Sequence, residues 1–219
     1  MNFIHIDGVS DGFVEEVEGT SEWYSCKVSE TGICDLYEAE DIVQSGRIYP
    51  GMNCKLIHYP DGEVYAPFTQ KENVYIDSPV FDDGIFYFLA VDFALEKIRI
   101  YSYNPAAKRR SEEAVFERSE GKGCRNLMLK TAPITLVRQD DGILQILWPD
   151  KREMAMGDTE CFCFRDGDNL YCSAWSENPD YSETIIIRDY HTGEVKEQYT
   201  GCLKRMPNGD IWVTKKNRE

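Results

Sequence analysis

Long apolar stretches are missing from this chain of 219 residues. No run approaches the roughly 18 to 20 apolar residues of a membrane-spanning helix, and the first residues, Met1–Gly8, lack the basic and apolar regions of a secretory signal. With 42% hydrophobic and 29% charged residues, the composition is that of a globular protein. We therefore expect a soluble, cytoplasmic protein that does not bind membranes.

Basic residues are also scarce. The chain has 24 Lys and Arg against 39 Asp and Glu, which gives a formal net charge of -15 at pH 7. Its dense basic runs, Lys108–Arg110 and Lys215–Arg218, are too short to line a groove. Nucleic-acid binding depends on neutralising phosphates with a broad basic surface. The charge therefore argues against a nucleic-acid partner.

The motifs of common enzymes and metal sites are absent as well. The sequence contains no P-loop, no Gly-x-Gly-x-x-Gly and no Gly-x-Ser-x-Gly. Its eight cysteines include no Cys-x-x-Cys pair, so a metal site from Cys161, Cys163 and Cys172 is disfavoured. Alternation along Cys161–Phe164 predicts both thiols on one face of a strand and both rings on the other. We predict free thiols, no metal and no cofactor.

What the sequence does contain is a series of short β-strand signals. Apolar runs such as Ile85–Val91 and Ile143–Trp148 are separated by Asp-Gly and Asn-Gly turns, which accept positive φ and favour hairpins. No 11-residue window has helical periodicity, and only Glu38–Val43 and Ala94–Lys97 could form a single turn of helix. These features predict an all-β protein.

The turns recur with a regular spacing. Gly167 and Gly209 are 42 residues apart, and Gly84 precedes Gly167 by 83 residues, close to two such periods. The missing marker would fall at Gly123–Asn126, and a weaker one lies upstream at Gln44–Gly46. A fixed period of this length, with about four strands in each repeat, is typical of β-propeller blades.

The repeats resemble propeller blades in sequence too, most clearly in Asn208–Val213 (Asn-Gly-Asp-Ile-Trp-Val) and Tyr190–Val195 (Tyr-His-Thr-Gly-Glu-Val). The resemblance indicates an architecture and no particular family. It implies one domain, 1–219, of about five four-stranded blades, with the ring closed by N- and C-terminal strands that share a blade. The approximate blades are 34–68, 74–117, 120–156, 158–199, and 201–219 completed by 1–32. Six small blades or a β-sandwich remain alternatives.

The sequence favours a non-catalytic binding or scaffolding propeller over an enzyme. The expected partner is a protein, a peptide or a small polar ligand, and the expected state is a monomer or a small homo-oligomer. Trp175, Asp180 and Tyr181, in the loop at 176–183, are the main ligand-binding candidates, with Tyr65 as a weaker one. Aromatic rings stack on sugars, cations and peptides, and neighbouring carboxylates fix the orientation of the ligand.

Two alternatives stay open. In the first, the chain is a carbohydrate-binding lectin or a small glycoside hydrolase, because such enzymes use two carboxylates about 5–9 Å apart. The candidate carboxylates at a central propeller mouth are Asp77, Asp92, Asp158 and Glu160. In the second, an incomplete propeller completes itself by oligomerising.

Overall fold

The computed structural model describes residues 3–9, 14–29, 32–121 and 123–214, so the basic run Lys215–Arg218 lies outside the described residues. About 52% of the chain is strand and 5% is helix, which confirms the all-β class. Helix α1 spans Leu36–Gln44, and a short 3-10 turn spans Arg118–Gly121. The strands are β1 (Val14–Glu16), β2 (Trp23–Val28), β3 (Asn53–His58), β4 (Val64–Tyr65), β5 (Val74–Ile76), β6 (Val80–Asp82), β7 (Ile85–Asp92), β8 (Lys97–Asn104), β9 (Arg109–Glu117), β10 (Leu127–Lys130), β11 (Thr135–Asp140), β12 (Ile143–Trp148), β13 (Arg152–Ala155), β14 (Glu160–Asp166), β15 (Asn169–Ser176), β16 (Ser182–Asp189), β17 (Val195–Thr200), β18 (Cys202–Arg205) and β19 (Ile211–Thr214).

The strands form antiparallel meanders in which neighbours in sequence pair with each other. Three sheets have four strands, in the orders β1-β2-β3-β4, β10-β11-β12-β13 and β14-β15-β16-β17. A fourth runs β5-β7-β8-β9, with β6 as an extra strand on β7, and β18 pairs with β19 alone. This is the strand arrangement of propeller blades. It confirms the propeller class, with four blade sheets instead of the expected five.

The predicted closing blade is wrong within the described residues. Strand β2 was expected to complete the blade of the C-terminal hairpin, but it pairs with β3 over six residues, from Trp23↔His58 to Val28↔Asn53. The pairing buries Trp23 against Leu56 and other core residues. Residues 3–6 are not in a strand, and the β18–β19 hairpin forms a two-stranded sheet. The other blade boundaries and the single domain remain predictions.

The chain separates into two compact units, residues 1–125 and 126–219, which we call unit 1 and unit 2. Each unit has a core of buried apolar side chains between its sheets. The core of unit 1 contains Val17, Trp23, Cys54, Leu56, Phe68, Ile76, Phe86, Phe88, Ala90 and Tyr103. The core of unit 2 contains Val137, Leu144, Ile146, Met156, Phe162, Leu170, Cys172, Ile186 and Tyr190.

Local sequence explains the turns and the one helix. Asp83 and Gly84 both have positive φ (46° and 80°) in the two-residue turn between β6 and β7, as the Asp-Gly signal predicts. Asp35 caps the N-terminus of helix α1, and its carboxylate accepts hydrogen bonds from the backbone N–H groups of Tyr37 and Glu38. The helix has nine residues, more than the single turn expected, and no helix among the described residues is long and apolar enough to cross a membrane.

A bulge in β14 overturns the expected alternation along Cys161–Phe164. Phe162 lies opposite Cys172, but Phe164 lies opposite Tyr171, so the register shifts by one residue between the two phenylalanines. An extra residue in one strand moves every later side chain to the other face. Phe162 therefore enters the core of unit 2, whereas Phe164 stacks on Tyr171 with ring centroids 4.8 Å apart on the opposite face.

Candidate functional site

Exposed aromatic and acidic side chains gather at one end of the β15–β16 hairpin in unit 2. The two strands pair along their whole length, from Asn169↔Asp189 to Ser176↔Ser182, and residues 177–181 form the connecting loop. The strands thus extend into both ends of the loop predicted at 176–183. We call this end the hairpin patch and define it as Trp175, Glu177, Asp180, Tyr181 and Glu183.

Trp175 is the largest side chain of the hairpin patch. It lies directly opposite Glu183, so the two side chains share one face of the sheet at the close spacing of a cross-strand pair. The residue is 47% exposed. The Thr159 hydroxyl donates a 2.6 Å hydrogen bond to the Trp175 carbonyl, which fixes the backbone beneath the ring. Trp175 therefore presents a broad apolar surface to solvent from a rigid strand.

Tyr181 and Glu183 are linked by a hydrogen bond. The Tyr181 hydroxyl donates to Glu183 Oε1 at 2.6 Å, and Tyr181 is 57% exposed. Hydrogen bonds from the Cys202 thiol and then from the Tyr181 hydroxyl lower the pKa of Glu183 below its usual value. The same contacts raise the pKa of the Tyr181 hydroxyl and of the Cys202 thiol. Glu183 is therefore held in its ionised form.

The charge of the hairpin patch is of one sign. Residues 175–183 contain Glu177, Asp180 and Glu183 and no Lys or Arg. Glu177 and Asp180 are exposed in the loop. Carboxylates beside exposed rings attract cations, and a guanidinium or ammonium group gains further from lying over an aromatic face. The predicted residues Trp175, Asp180 and Tyr181 lie together in this patch.

Tyr65, the weaker binding candidate, lies in unit 1, where its side chain contacts other residues of the same chain. Its ring packs edge-on against Trp23 with centroids 5.3 Å apart, and the Lys108 ammonium lies 5.2 Å from the ring centroid. Its hydroxyl donates to Glu63 at 2.8 Å, which raises the pKa of Tyr65 to about 12. The chain itself thus provides a cation and an aromatic neighbour for this ring.

Asp92 is a buried carboxylate at the end of β7. Its Oδ2 lies 3.1 Å from Lys71 Nζ and 3.7 Å from an Arg99 nitrogen, and its Oδ1 accepts a 2.9 Å hydrogen bond from the Leu95 N–H. Buried charges are retained where they are paired and hydrogen-bonded in this way. The contacts tie β7 to β8 and to the turn between them.

Asp77 lies in the same unit but faces different groups. It accepts a 3.1 Å hydrogen bond from the Tyr75 hydroxyl and lies 3.6 Å from Lys27 Nζ. Its backbone N–H bonds to Leu89, three residues before Asp92. Three residues of strand correspond to about 10 Å, and Leu89 and Asp92 point to opposite faces of the sheet. Asp77 and Asp92 therefore do not form a pair of neighbouring carboxylates.

Asp158 precedes β14 in unit 2 and Glu160 begins it, in contrasting environments. Glu160 is 3% exposed and receives two 2.6 Å hydrogen bonds from Arg188, one to each carboxylate oxygen. The Gly157 N–H donates a third at 2.9 Å. Burial acts to raise the pKa of Glu160, but these hydrogen bonds and the charge of Arg188 lower it below the usual value. Asp158, by contrast, is exposed.

Metal-ligating side chains do not gather in the part of the chain that the structure describes, where no group of three His, Cys, Asp or Glu residues could hold an ion. All eight cysteines are free thiols. Cys26, Cys54, Cys124 and Cys172 are buried, and Cys161 and Cys202 are exposed.

Sequence reasoning missed three residues that shape these sites. Glu183 lies two residues after Tyr181 on an alternating strand, and that spacing could have indicated it. Cys202 and Arg188 could not be found in this way, because their partners Glu183 and Glu160 come from other strands. Only the strand pairing brings them together.

Comparison with known proteins identifies a fold but no family. No family model matches the chain, and no curated protein matches it. Among solved structures, a prolyl endopeptidase matches with a TM-score of 0.50 at 12% identity, over 94% of this chain and 27% of its own. TolB from Acinetobacter baumannii matches at 0.47 and 13% identity, over 94% and 62%. A bifunctional GH43-CE protein from Bacteroides eggerthii matches at 0.40 and 12% identity, over 93% and 30%.

This chain spans less than two thirds of the length of each of these structures. Identity this low shows the fold alone, since one fold supports many unrelated functions. The likeness to the prolyl endopeptidase agrees with the propeller class of the sheets. Function has to be argued from the residues of the chain itself.

Proposed function

We propose that the protein is a non-catalytic binding protein, and that its hairpin patch recognises a basic segment of a protein or peptide partner. The observation that carries this proposal is the exposed Trp175 ring, set on a rigid strand beside the ionised Glu183. Binding energy concentrates on exposed aromatic anchors of this kind. Lys and Arg side chains complement both the rings and the acids of the patch.

The overall charge supports a cationic partner. A net charge of -15 attracts basic segments over long range and repels acidic ones. The attraction weakens as salt screens it over a Debye length of about 8–10 Å. We therefore expect binding that weakens as the salt concentration rises.

The ion pairs formed by two of the candidate carboxylates support a binding function over glycoside hydrolysis. Asp92 is engaged by Lys71, and Glu160 is engaged on both oxygens by Arg188. A nucleophile or general acid would have to leave these partners at a high cost. A carbohydrate ligand is the second candidate, because the exposed Trp175 ring could stack on the face of a sugar.

Selection from a displayed library of random peptides tests the proposal. We expect the intact protein to enrich peptides rich in Lys and Arg, and the Trp175→Ala variant to enrich none. The matched control is Tyr59→Ala, which removes an exposed aromatic side chain in unit 1. A library with no enrichment, combined with binding on a glycan array that Trp175→Ala abolishes, would overturn the peptide proposal in favour of the carbohydrate one.

A further inference from the structure

The edge strand β19 lacks the charged side chains that the other described edge strands of four or more residues carry. Edge strands expose unpaired backbone groups, and proteins commonly place charged residues there to prevent pairing with other chains. Of the described edge strands with at least four residues, β19 (Ile-Trp-Val-Thr) alone carries no charged side chain. The others, which each carry at least one, are β9, β10, β13, β14, β17 and β18.

Apolar surface accompanies this uncharged edge. Trp212 is 57% exposed and Val213 is 48% exposed. Both residue types, and Ile211 beside them, favour β-structure. Among the described residues, β19 pairs with β18 and with no other strand. A strand of this composition with a free edge is suited to receive another strand.

The turn of the hairpin establishes which backbone groups of β19 point outward. The Met206 N–H bonds to the Asp210 carbonyl at 2.7 Å, so these two residues form a hydrogen-bonded pair. Bonded and non-bonded pairs alternate along an antiparallel ladder. Lys204↔Trp212 is then a bonded pair, whereas the pairs of Ile211 and Val213 with β18 are non-bonded. The N–H and C=O groups of Ile211 and Val213 therefore point to the free edge.

We propose that β19 binds β19 of a second copy of this chain, antiparallel across a two-fold axis at Trp212. In this register Ile211 and the partner's Val213 exchange two backbone hydrogen bonds, and symmetry supplies two more. Trp212 and the partner's Trp212 then form a non-bonded pair, in which side chains lie closest and aromatic pairs interact best. The interface uses all four outward groups of Ile211 and Val213.

The charges of the β18–β19 hairpin favour a second copy of the chain as the source of the strand that pairs with β19. An uncharged strand pairs with itself without like-charge contact, even though each chain carries a net charge of -15. In this register Asp210 lies opposite the partner's Thr214. Lys204 lies opposite Trp212 on β18, which is the strand away from the two-fold axis. The product is a four-stranded sheet, the size of three of the blade sheets. The proposal does not rest on the function proposed for the hairpin patch.

Analytical ultracentrifugation over a concentration series tests the interface. We expect a reversible dimer with a dissociation constant below about 0.1 mM. Val213→Pro removes an outward N–H but no bond of the hairpin, and proline is tolerated at such an edge position. We expect this variant to be monomeric, Val213→Ala to dimerise, and Trp212→Ala to bind about tenfold more weakly.

Hydrogen exchange of single backbone amides keeps the result interpretable if Val213→Pro disturbs the hairpin. In the wild-type chain, the amides of Ile211 and Val213 should gain protection as the concentration rises. The Trp212 amide, which bonds within the hairpin, should be protected at all concentrations and also in Val213→Pro. A chain that stays monomeric at about 0.1 mM, or a dimer that Val213→Pro leaves intact while the Trp212 amide stays protected, would overturn the proposal.

Discussion

Trp175 and Glu183 lie directly opposite each other on β15 and β16, and the Tyr181 hydroxyl holds Glu183 with a 2.6 Å hydrogen bond. The pairing places an exposed indole and an ionised carboxylate side by side on one face of a sheet. Neither residue lies in the loop at 177–181, because Trp175 is in β15 and Glu183 is in β16. This relationship is the basis of the function proposed for the chain.

The contact between Glu183 and Cys202 gives the first prediction. Glu183 raises the pKa of the Cys202 thiol, so less of the reactive thiolate is present near neutral pH. Glu183→Gln should therefore speed the reaction of Cys202 with a thiol reagent several-fold at about pH 8, because one pKa unit changes the thiolate fraction up to tenfold. Mass spectrometry of labelled peptides measures the rate. Glu177→Gln is the control and should leave the rate unchanged; an equal increase in both variants would contradict the assigned contact.

The buried ion pair between Glu160 and Arg188 gives a stability prediction. Glu160→Gln removes the charge and leaves Arg188, whose side chain is 14% exposed, without its carboxylate. Breaking a buried pair on one side costs about 3–5 kcal/mol. Urea unfolding should show a loss of this order for Glu160→Gln and less than about 0.5 kcal/mol for Asp158→Asn, an exposed acid two residues away. Equal losses would indicate that Glu160 is not a buried structural carboxylate.

The lowered pKa of Glu160 predicts a pH dependence with a definite sign. A carboxylate whose pKa is lower in the folded state stabilises the fold at pH values above its ordinary value of 4.5. This contribution disappears as the pH falls through the lowered folded-state pKa. The difference in unfolding free energy between the wild-type chain and Glu160→Gln should therefore be largest near neutral pH and shrink towards about pH 3. A difference that stays constant over this range would contradict the assignment.

A close backbone contact in unit 1 predicts that Gly19 cannot be replaced. A Cβ atom at this position would lie 2.1 Å from the Phe81 carbonyl oxygen, and the Gly19 φ of +98° also disfavours other residues. Gly84 has a similar φ of +80° but no atom within 4 Å of such a Cβ. Gly84→Ala should cost about 1–2 kcal/mol from backbone strain alone, and Gly19→Ala should cost clearly more. Thermal unfolding of the two variants checks the order, and a smaller loss for Gly19→Ala would refute the contact.

Local signals in the sequence predicted the strands and turns well. Asp83-Gly84 and Asp141-Gly142 form the expected two-residue turns, because Asp and Gly tolerate positive φ. Ile143–Trp148 is a strand with the boundaries that were predicted. These features depend on a few consecutive residues, so the sequence contains the information needed for them.

Features that depend on strand pairing could not be predicted in this way. The period placed a marker turn at Gly123–Asn126, but the first turn of that sheet lies at 131–134, between β10 and β11. The assignment of β2 to the C-terminal hairpin failed because periodicity does not specify a pairing partner. The bulge that turns the Phe164 side chain to the other face of the sheet is a shift in register between β14 and β15. Alternation along β14 alone cannot reveal such a shift. The Glu183–Cys202 contact escaped prediction for the same reason.

The most direct test of the proposed function is the affinity of selected basic peptides for the wild-type chain and for Trp175→Ala, measured by isothermal titration calorimetry. Trp175 is exposed, so its removal should change the stability of the fold by less than about 0.5 kcal/mol. As the anchor of the binding site, it should change the dissociation constant by at least about tenfold. We predict that loss for Trp175→Ala and an unchanged affinity for Tyr59→Ala. Equal affinity of the peptides for the wild-type chain and Trp175→Ala would contradict the account.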